Sequence, residues 1–277
     1  MKKGVREDVP SPTSTIRCRA TVEYDGTEFA GFQAQRPGVR TVQGELEAAL
    51  ARLNGGARQP VDGAGRTDAG VHATGQVIAF TDSGRLSVEA LMEALNGTLP
   101  PDVAVRDIRR VPARFHPRYA ARYREYRYTI LNGPRSPLLE RTTFRVRNPL
   151  DTNAMARAAA AFEGRHDFTA FGGADPQPVR TVHRIRVRRD GNLVTIDVRA
   201  DAFLRGMVRR LVAALIAVGT GKIDEDAVAA ALLERAPAFR GAAAPARGLC
   251  LRRVALGRRQ RTNDADESDN GNEGRDE

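Results

Sequence analysis

Arg66 and Asp68 stand two residues apart in the stretch GAGRTDAGVHA, residues 63–73, where most of the other side chains are small. A carboxylate with so little bulk around it is open to a ligand and can act as a nucleophile or a general base. The nearby guanidinium can hold a phosphate through two hydrogen bonds, or occupy the space left by a base turned out of its stack. This combination favours a nucleic-acid ligand.

The same loop is open to a simpler interpretation. Its glycines allow a tight turn, in which Arg66 and Asp68 would form a local ion pair. A phosphate-binding P-loop is excluded because no Lys-Ser or Lys-Thr follows the glycines, and the glycine spacing excludes a dinucleotide-binding fingerprint. Two alternatives remain, a structural turn and a loop that admits the backbone of a polymer.

The charge of the chain indicates a polyanionic partner. The net charge is +10 at pH 7, and residues 261–277 alone carry −5, so residues 1–260 carry +15. A basic excess of this size is typical of proteins that bind nucleic acid. A coding bias that replaces lysine by arginine accounts for the choice of arginine but not for the excess.

The rest of the composition narrows the class of protein. No stretch contains the roughly 20 apolar residues of a membrane span, and the N-terminal lysines are not followed by the apolar segment of a secretory signal. We therefore expect a cytoplasmic protein without a membrane segment. The four histidines, His72, His116, His166 and His183, lack the spacing of a zinc site, so we expect no metal.

Two similar series of strands and helices follow one another along the chain. Period-two patterns predict strands in 16–24, 76–82, 103–111, 125–131 and 248–256, and a hairpin in 181–200. Helical periods predict helices in 41–56, 87–97, 151–164, 203–219 and 223–236.

The repeated order predicts an α+β fold. We expect duplicated ferredoxin-like (RRM-like) halves that form a mostly antiparallel sheet, with helices packed on one side and a basic cleft between the halves. The N-terminal half, with the catalytic loop, is expected at 15–115 and the C-terminal half at 116–257. The flanking segments 1–14 and 258–277 lack apolar periodicity and are predicted to be disordered tails, the second of them acidic.

The Asp68 loop is part of a longer pattern. GRTDAGVHATGQVIAF resembles the catalytic segment of the tRNA pseudouridine synthase A family. Seven more stretches resemble successive motifs of that family in the same order: VEYDGTEFAGFQAQ, TVQGELEAAL, FHPRYAARYREYRYTI, FEGRHDFTAF, RTVHRI, ADAFLRGMVRRLV and RGLCLRRVAL. The resemblance extends from about residue 16 to 256 and implies the pseudouridine synthase fold. The chain departs from the family's usual residues at Phe32, Gly206 and Cys250.

The resemblance implies a homodimeric isomerase without metal or organic cofactor. It would convert uridine to pseudouridine in the anticodon stem-loop of tRNA, at positions 38, 39 and 40. By the same resemblance, Asp68 is the catalytic aspartate and Arg66 takes part in base flipping. Tyr126 is expected to pack against the target base, Arg209 to pair with the aspartate, and Leu249 to form an apolar wall of the pocket. Asp68 could attack the sugar, attack the base or remove a ribose proton, and the sequence leaves these three roles open.

A second hypothesis is a non-catalytic RNA-binding protein or RNA chaperone on an RRM-like scaffold. It would account for the charge and for two α+β halves. However, the strands lack the aromatic-rich signature of RRM stacking surfaces, and aromatic residues make up only 5% of the chain.

Several arginines outside the expected pocket have two interpretations. Arg205, one helical turn before Arg209 in the predicted helix, is expected to contact solvent or phosphate. The exposed face of one predicted strand carries either tRNA backbone contacts or a solvated surface, through Arg184, Arg186 and Arg188.

Overall fold

The structure, a computed structural model, describes residues 15–237 and 241–257. The tails predicted at 1–14 and 258–277 lie outside these residues. The strands are β1 (Ile16–Tyr24), β2 (Asp62–Gly63), β3 (His72–Asp82), β4 (Val103–Arg110), β5 (Ala121–Leu131), β6 (Phe144–Arg145), β7 (Gly164–Asp167), β8 (Val179–Asp190), β9 (Leu193–Ala200) and β10 (Leu249–Leu256). The α-helices are α1 (Val42–Leu53), α2 (Val88–Thr98), α3 (Pro117–Ala120), α4 (Thr152–Ala160), α5 (Met207–Gly219) and α6 (Asp226–Glu234).

The first half is a βαββαβ unit. Its strands run in the order β4-β1-β3, and β2 adds to the outer edge of β3, all in antiparallel pairs. α1 begins directly after Thr41, whose hydroxyl accepts the Gly44 N–H as an N-cap. β2 has only two residues, which is too short for a sequence period, and it was not predicted.

The second half repeats this topology. β5, α4, β8, β9, α5 and β10 again form a βαββαβ unit, with the strand order β10-β5-β9-β8. In both halves the fourth strand pairs with the first, the first with the third, and the third with the second. β6 and β7 are additions, which pair with β5 and β8. The predicted α+β fold with duplicated ferredoxin-like halves and a mostly antiparallel sheet is therefore confirmed.

The two halves meet at β3. Its N-terminal end pairs in parallel with β10 through two residue pairs, His72 with Cys250 and Ala73 with Leu251. Its other end pairs on the same edge with β2. The loop 64–71 connects β2 to β3, so it lies where the strand edge passes from one half to the other. The topology thus places Asp68 at the junction of the halves.

The helices cover one face of the sheet. On β5, the alternate residues Tyr126, Tyr128 and Ile130 are buried in a core shared with α4 and α5. The opposite face carries ion pairs between neighbouring strands, such as Arg127 with Asp197 at 2.7 Å. This arrangement is the one-sided helix packing that the sequence predicts.

Arg184, Arg186 and Arg188 of β8 lie on that opposite face. The register places Arg186 beside Asp197 and Arg188 beside Thr195, whereas Tyr126 pairs with Val198 on the helix-covered face. These three arginines and Tyr126 therefore lie on opposite faces of the sheet.

One predicted helix boundary was wrong. The long helix begins at Met207 and not at 203, because Gly206 adopts a left-handed conformation with φ 69° and interrupts the helix. Arg205 therefore precedes α5. The hairpin turn consists of Gly191 and Asn192, since Asp190 still pairs with Leu193. No helix in the described ranges is long and apolar enough to cross a membrane.

Candidate active site

Thr67, the residue before Asp68, is held from two sides by the first half. The Phe32 N–H donates to its carbonyl at 3.1 Å, and its hydroxyl hydrogen-bonds with the Tyr24 hydroxyl at 2.8 Å in the protein interior. Gly31 has φ +108°, and a Cβ added there would lie 2.9 Å from the Thr67 carbonyl oxygen. Only glycine allows this close approach, so the motif VEYDGTEFAGF supports the loop that carries Asp68.

Two backbone carbonyls earlier in the loop, those of Ala64 and Gly65, also accept hydrogen bonds from side chains. Gln76 is fully buried and donates from Nε2 to the Gly65 carbonyl at 2.9 Å. Arg124 donates from Nη2 to the Ala64 carbonyl at 2.7 Å. Because these backbone groups are satisfied by defined partners, the backbone holds Asp68 in one position.

Asp68 faces two arginines, one at each carboxylate oxygen. Nη1 of Arg209 lies 3.7 Å from Oδ2, and Nε of Arg205 lies 4.0 Å from Oδ1. Charge-assisted hydrogen bonds are about 2.7–2.9 Å long, so the carboxylate is attracted by both cations without being hydrogen-bonded to either. The Asp68 side chain is 32% exposed and keeps its acceptor capacity for a ligand.

The two arginines differ in how firmly they are held. Arg209 is 25% exposed, and its Nε donates to the Ala244 carbonyl at 2.6 Å. Arg205 is 90% exposed, and Asp68 is the only acidic partner found for it in the described part of the chain. Arg209 is therefore a fixed neighbour of Asp68, and Arg205 is free to turn towards a ligand.

Tyr126 and Leu249 are both buried on the helix-covered face of the second half. Tyr126 is buried, and its ring meets Phe203 edge-on with 5.1 Å between centroids. Burial raises the pKa of Tyr126 well above its usual value, the Arg124 charge lowers it in part and the Asp68 charge raises it, so the phenol stays neutral beside the carboxylate. Leu249 is buried at the start of β10 and pairs with Tyr128, the next residue of β5 on the same face.

Arg66 lies on the same loop as Asp68 and is exposed. In the described ranges it forms neither an ion pair nor a side-chain hydrogen bond, so the local ion pair with Asp68 is absent there. Its guanidinium is accordingly available to a ligand that approaches the loop.

The structure adds Phe203 and Arg124 to the residues singled out from the sequence, and it brings Arg205, which was expected to contact solvent or phosphate, to 4.0 Å from Asp68. Phe203 and Arg205 both lie in the motif ADAFLRGMVRRLV, which carried the resemblance. Arg124 lies two residues before Tyr126 in β5, so strand alternation places the two on one face. Among the described residues, no group of three or more His, Cys, Asp or Glu could hold a metal ion.

Comparisons with known proteins define the class. A family model described as tRNA pseudouridine synthase matches residues 20–120 and 158–255. The chain therefore belongs to the tRNA pseudouridine synthase family. Its relatives carry the name tRNA pseudouridine synthase A, as the sequence motifs predict. The one from Moorella thermoacetica is 46% identical over 85% of this chain and 98% of its own length, and the one from Halalkalibacterium halodurans is 42% identical over 82% and 88%.

These matches confirm the predicted family and do not favour the second hypothesis of a non-catalytic RNA-binding protein. Among solved structures, an archaeal box H/ACA sRNP Nop10-Cbf5 complex aligns over 86% of this chain and 48% of that chain. The identity is 14% and the TM-score 0.33.

Proposed function

We propose that this chain isomerises uridine to pseudouridine in the anticodon stem-loop of tRNA, at positions 38, 39 and 40, with Asp68 as its catalytic carboxylate. The geometry at Asp68 is the observation that carries the proposal. The carboxylate lies on a firmly anchored loop at the junction of the halves, with Arg205 and Arg209 at its oxygens and Tyr126 nearby.

The reaction exchanges one glycosidic bond for another. The bond between N1 of uracil and C1′ of ribose breaks, and a bond between C5 and C1′ forms. The proton of C5 leaves to solvent and N1 gains a proton, so atoms and electrons balance without an oxidant, a reductant or a transferred group. The Asp68 carboxylate takes part by attacking the sugar, by attacking the base or by removing a ribose proton. The balanced reaction requires no cofactor.

The other residues of the site bind and orient the nucleotide. The target base must leave its stack, at a cost of a few kcal/mol. Arg66 is exposed two residues from Asp68 and takes part in this step by filling the vacated space. Tyr126 and Leu249 provide the apolar surface against which the extruded base packs. Arg205 is free to contact a phosphate of the same nucleotide.

The proposed tRNA cleft and homodimer are inferred from the family resemblance. The two halves, 15–115 and 116–257, form the walls of a cleft for tRNA, and the +15 charge of residues 1–260 attracts the phosphate backbone. A homodimer in the cytoplasm would hold one large tRNA with both subunits. Light scattering of the purified protein, with and without tRNA, measures this oligomeric state, and a monomer under both conditions would contradict it.

The test of the proposed function is the Asp68→Asn variant, which removes the charge and keeps the shape. Release of tritium from tRNA labelled at C5 of uracil should fall to background, while tRNA affinity stays within about twofold of wild type. Asp107→Asn is the matched control, because Asp107 also lies 3.7 Å from an arginine, Arg19, but far along the sheet in β1 and β4. Full release in Asp68→Asn would reject the catalytic role, and absence of release from wild type would reject the activity.

A further inference from the structure

Arg124 donates hydrogen bonds to backbone carbonyls of three separate segments. Its Nη2 donates to the Ala64 carbonyl at 2.7 Å and to the Arg118 carbonyl at 3.2 Å. Its Nη1 donates to the Asp201 carbonyl at 2.7 Å. These three segments are the catalytic loop, the short helix α3 and the end of β9, so a single side chain joins parts of both halves.

The Ala64 and Asp201 carbonyls each lie a short way along the chain from a charged residue of the site. Ala64 comes four residues before Asp68, and Asp201 comes four residues before Arg205. The planar guanidinium presents its N–H groups in a fixed fork. The distance between the two carbonyls is therefore set by a rigid group and not by a flexible chain.

The Asp201 end of this connection is itself anchored. The Asp201 carboxylate accepts the Thr181 N–H at 3.1 Å and the Ala202 N–H at 2.6 Å, and the Asp201 N–H donates to the Thr181 carbonyl. Arg124 therefore links the catalytic loop to a fixed point at the edge of the second half.

The C-terminal end of the loop is tied to the second half by the sheet. β3 pairs with β10 at His72 and Ala73, and the His72 ring hydrogen-bonds with the Arg247 carbonyl at 3.1 Å. In the described ranges, the other turn and side-chain hydrogen bonds of residues 64–71 go to the first half, to Tyr24, Phe29, Phe32, Gln76 and Val77. Arg124 is therefore the hydrogen-bonded connection at the opposite, N-terminal end of the loop, at Ala64.

We infer that Arg124 is a positioning residue, which holds the Asp68 loop at a set distance from the segment that carries Arg205 and Arg209. The inference rests on the proposed function of Asp68. The ion-pair distances of 3.7 and 4.0 Å leave room for movement in either direction if the connection is lost. Misplacement of a catalytic group by about 1 Å can cost about 10²-fold in rate.

The test compares Arg124→Lys with Arg127→Lys in the full-length protein. Lysine keeps the charge, but one ammonium cannot reproduce the fork between the Ala64 and Asp201 carbonyls. We expect kcat for tritium release to fall about 10²-fold in Arg124→Lys, with KM for tRNA within about twofold. Arg127→Lys is the control, because Arg127 lies on the same strand but on the opposite face of the sheet. This variant loses a comparable pair of hydrogen bonds, to Asp197 at 2.7 and 2.9 Å. Its kcat should stay within about twofold of wild type.

A double variant separates positioning from general weakening. If Arg124 acts through the geometry of Asp68 and Arg209, the loss of kcat in Arg124→Lys combined with Arg209→Lys should match the worse single variant. Multiplied losses would overturn the inference, as would a rise in KM alone or an equal loss in Arg127→Lys. Arg124→Gln replaces Arg124→Lys in the same comparison if the lysine variant does not fold.

The inference and the proposed function fail in different ways. Release that is abolished by Asp68→Asn but unchanged in Arg124→Lys would overturn the positioning role alone. Release that survives Asp68→Asn would overturn the role of Asp68, and the positioning role with it.

Discussion

Nη1 of Arg209 lies 3.7 Å from Oδ2 of Asp68, while the Nε–H of the same guanidinium donates to the Ala244 carbonyl. The Ala244 N–H in turn donates to the Arg209 carbonyl at 3.0 Å. Both the main chain and the side chain of Arg209 are therefore fixed by one residue. The positive charge is in place beside the carboxylate before any substrate binds, which is the arrangement that stabilises a developing charge most effectively.

Arg209→Lys should lower kcat about 10²-fold, because lysine lacks the Nε that anchors the charge to Ala244. The affinity for tRNA should stay within about threefold, since the net charge is kept. Single-turnover tritium release and a filter-binding assay measure the two quantities. Arg210→Lys is the matched control on the exposed side of α5, and an equal loss of kcat there would contradict the assignment.

Arg205→Gln should weaken the binding of tRNA. Its guanidinium is 90% exposed and 4.0 Å from Asp68, so we expect it to leave the carboxylate for a phosphate of the bound tRNA. The KM for tRNA should rise about threefold to tenfold, with kcat within about twofold. The log–log dependence of affinity on salt should become shallower by about one, as for the loss of one phosphate contact. An unchanged slope would speak against that contact.

Gly31→Ala should weaken both the fold and the activity. The new Cβ would lie 2.9 Å from the Thr67 carbonyl oxygen, at a residue with φ +108°. Strain of this kind costs about 1–3 kcal/mol of the free energy of unfolding, and it displaces Thr67 and the adjacent Asp68. Gly38→Ala is the control, because φ there is +84° but the space around it is open. Urea unfolding and tritium release should be affected far more in Gly31→Ala.

The free energy of unfolding should fall steeply above pH 10. Burial raises the pKa of Tyr24, Tyr126 and Tyr128 above the ordinary value of 10. In the unfolded chain these phenols ionise near pH 10, whereas in the folded protein they stay protonated. Their contribution is therefore fully present below pH 10 and is lost as the pH rises, by about 1.4 kcal/mol per pH unit for each phenol.

Tyr128→Phe tests this pH dependence. Removing one buried phenol should make the slope shallower by about 1.4 kcal/mol per pH unit, whatever the loss of the hydrogen bond to Pro245 does to the stability at pH 8. Urea-unfolding curves at several pH values above 9 measure the slope. A slope identical to that of wild type would mean that Tyr128 does not titrate differently in the two states.

The amino-acid sequence by itself determined the local elements and the chemistry-bearing loop. Alternation at period two indicated β1 and β5, Thr41 marked the start of α1, and the small residues around Asp68 indicated a loop open to a ligand. These features depend on neighbours within a few residues, where side-chain periodicity and capping act. The family motifs follow from the same local stretches.

Only the tertiary structure decided how the halves meet and which side chains surround Asp68. The two-residue strand β2 has no period to detect, and the left-handed Gly206 moved Arg205 out of the helix and beside the carboxylate. The fork of Arg124 joins carbonyls at residues 64 and 201, which no local pattern relates. Contacts between distant segments depend on how complete helices and strands pack against each other. The spacing of residues along one segment does not specify that packing.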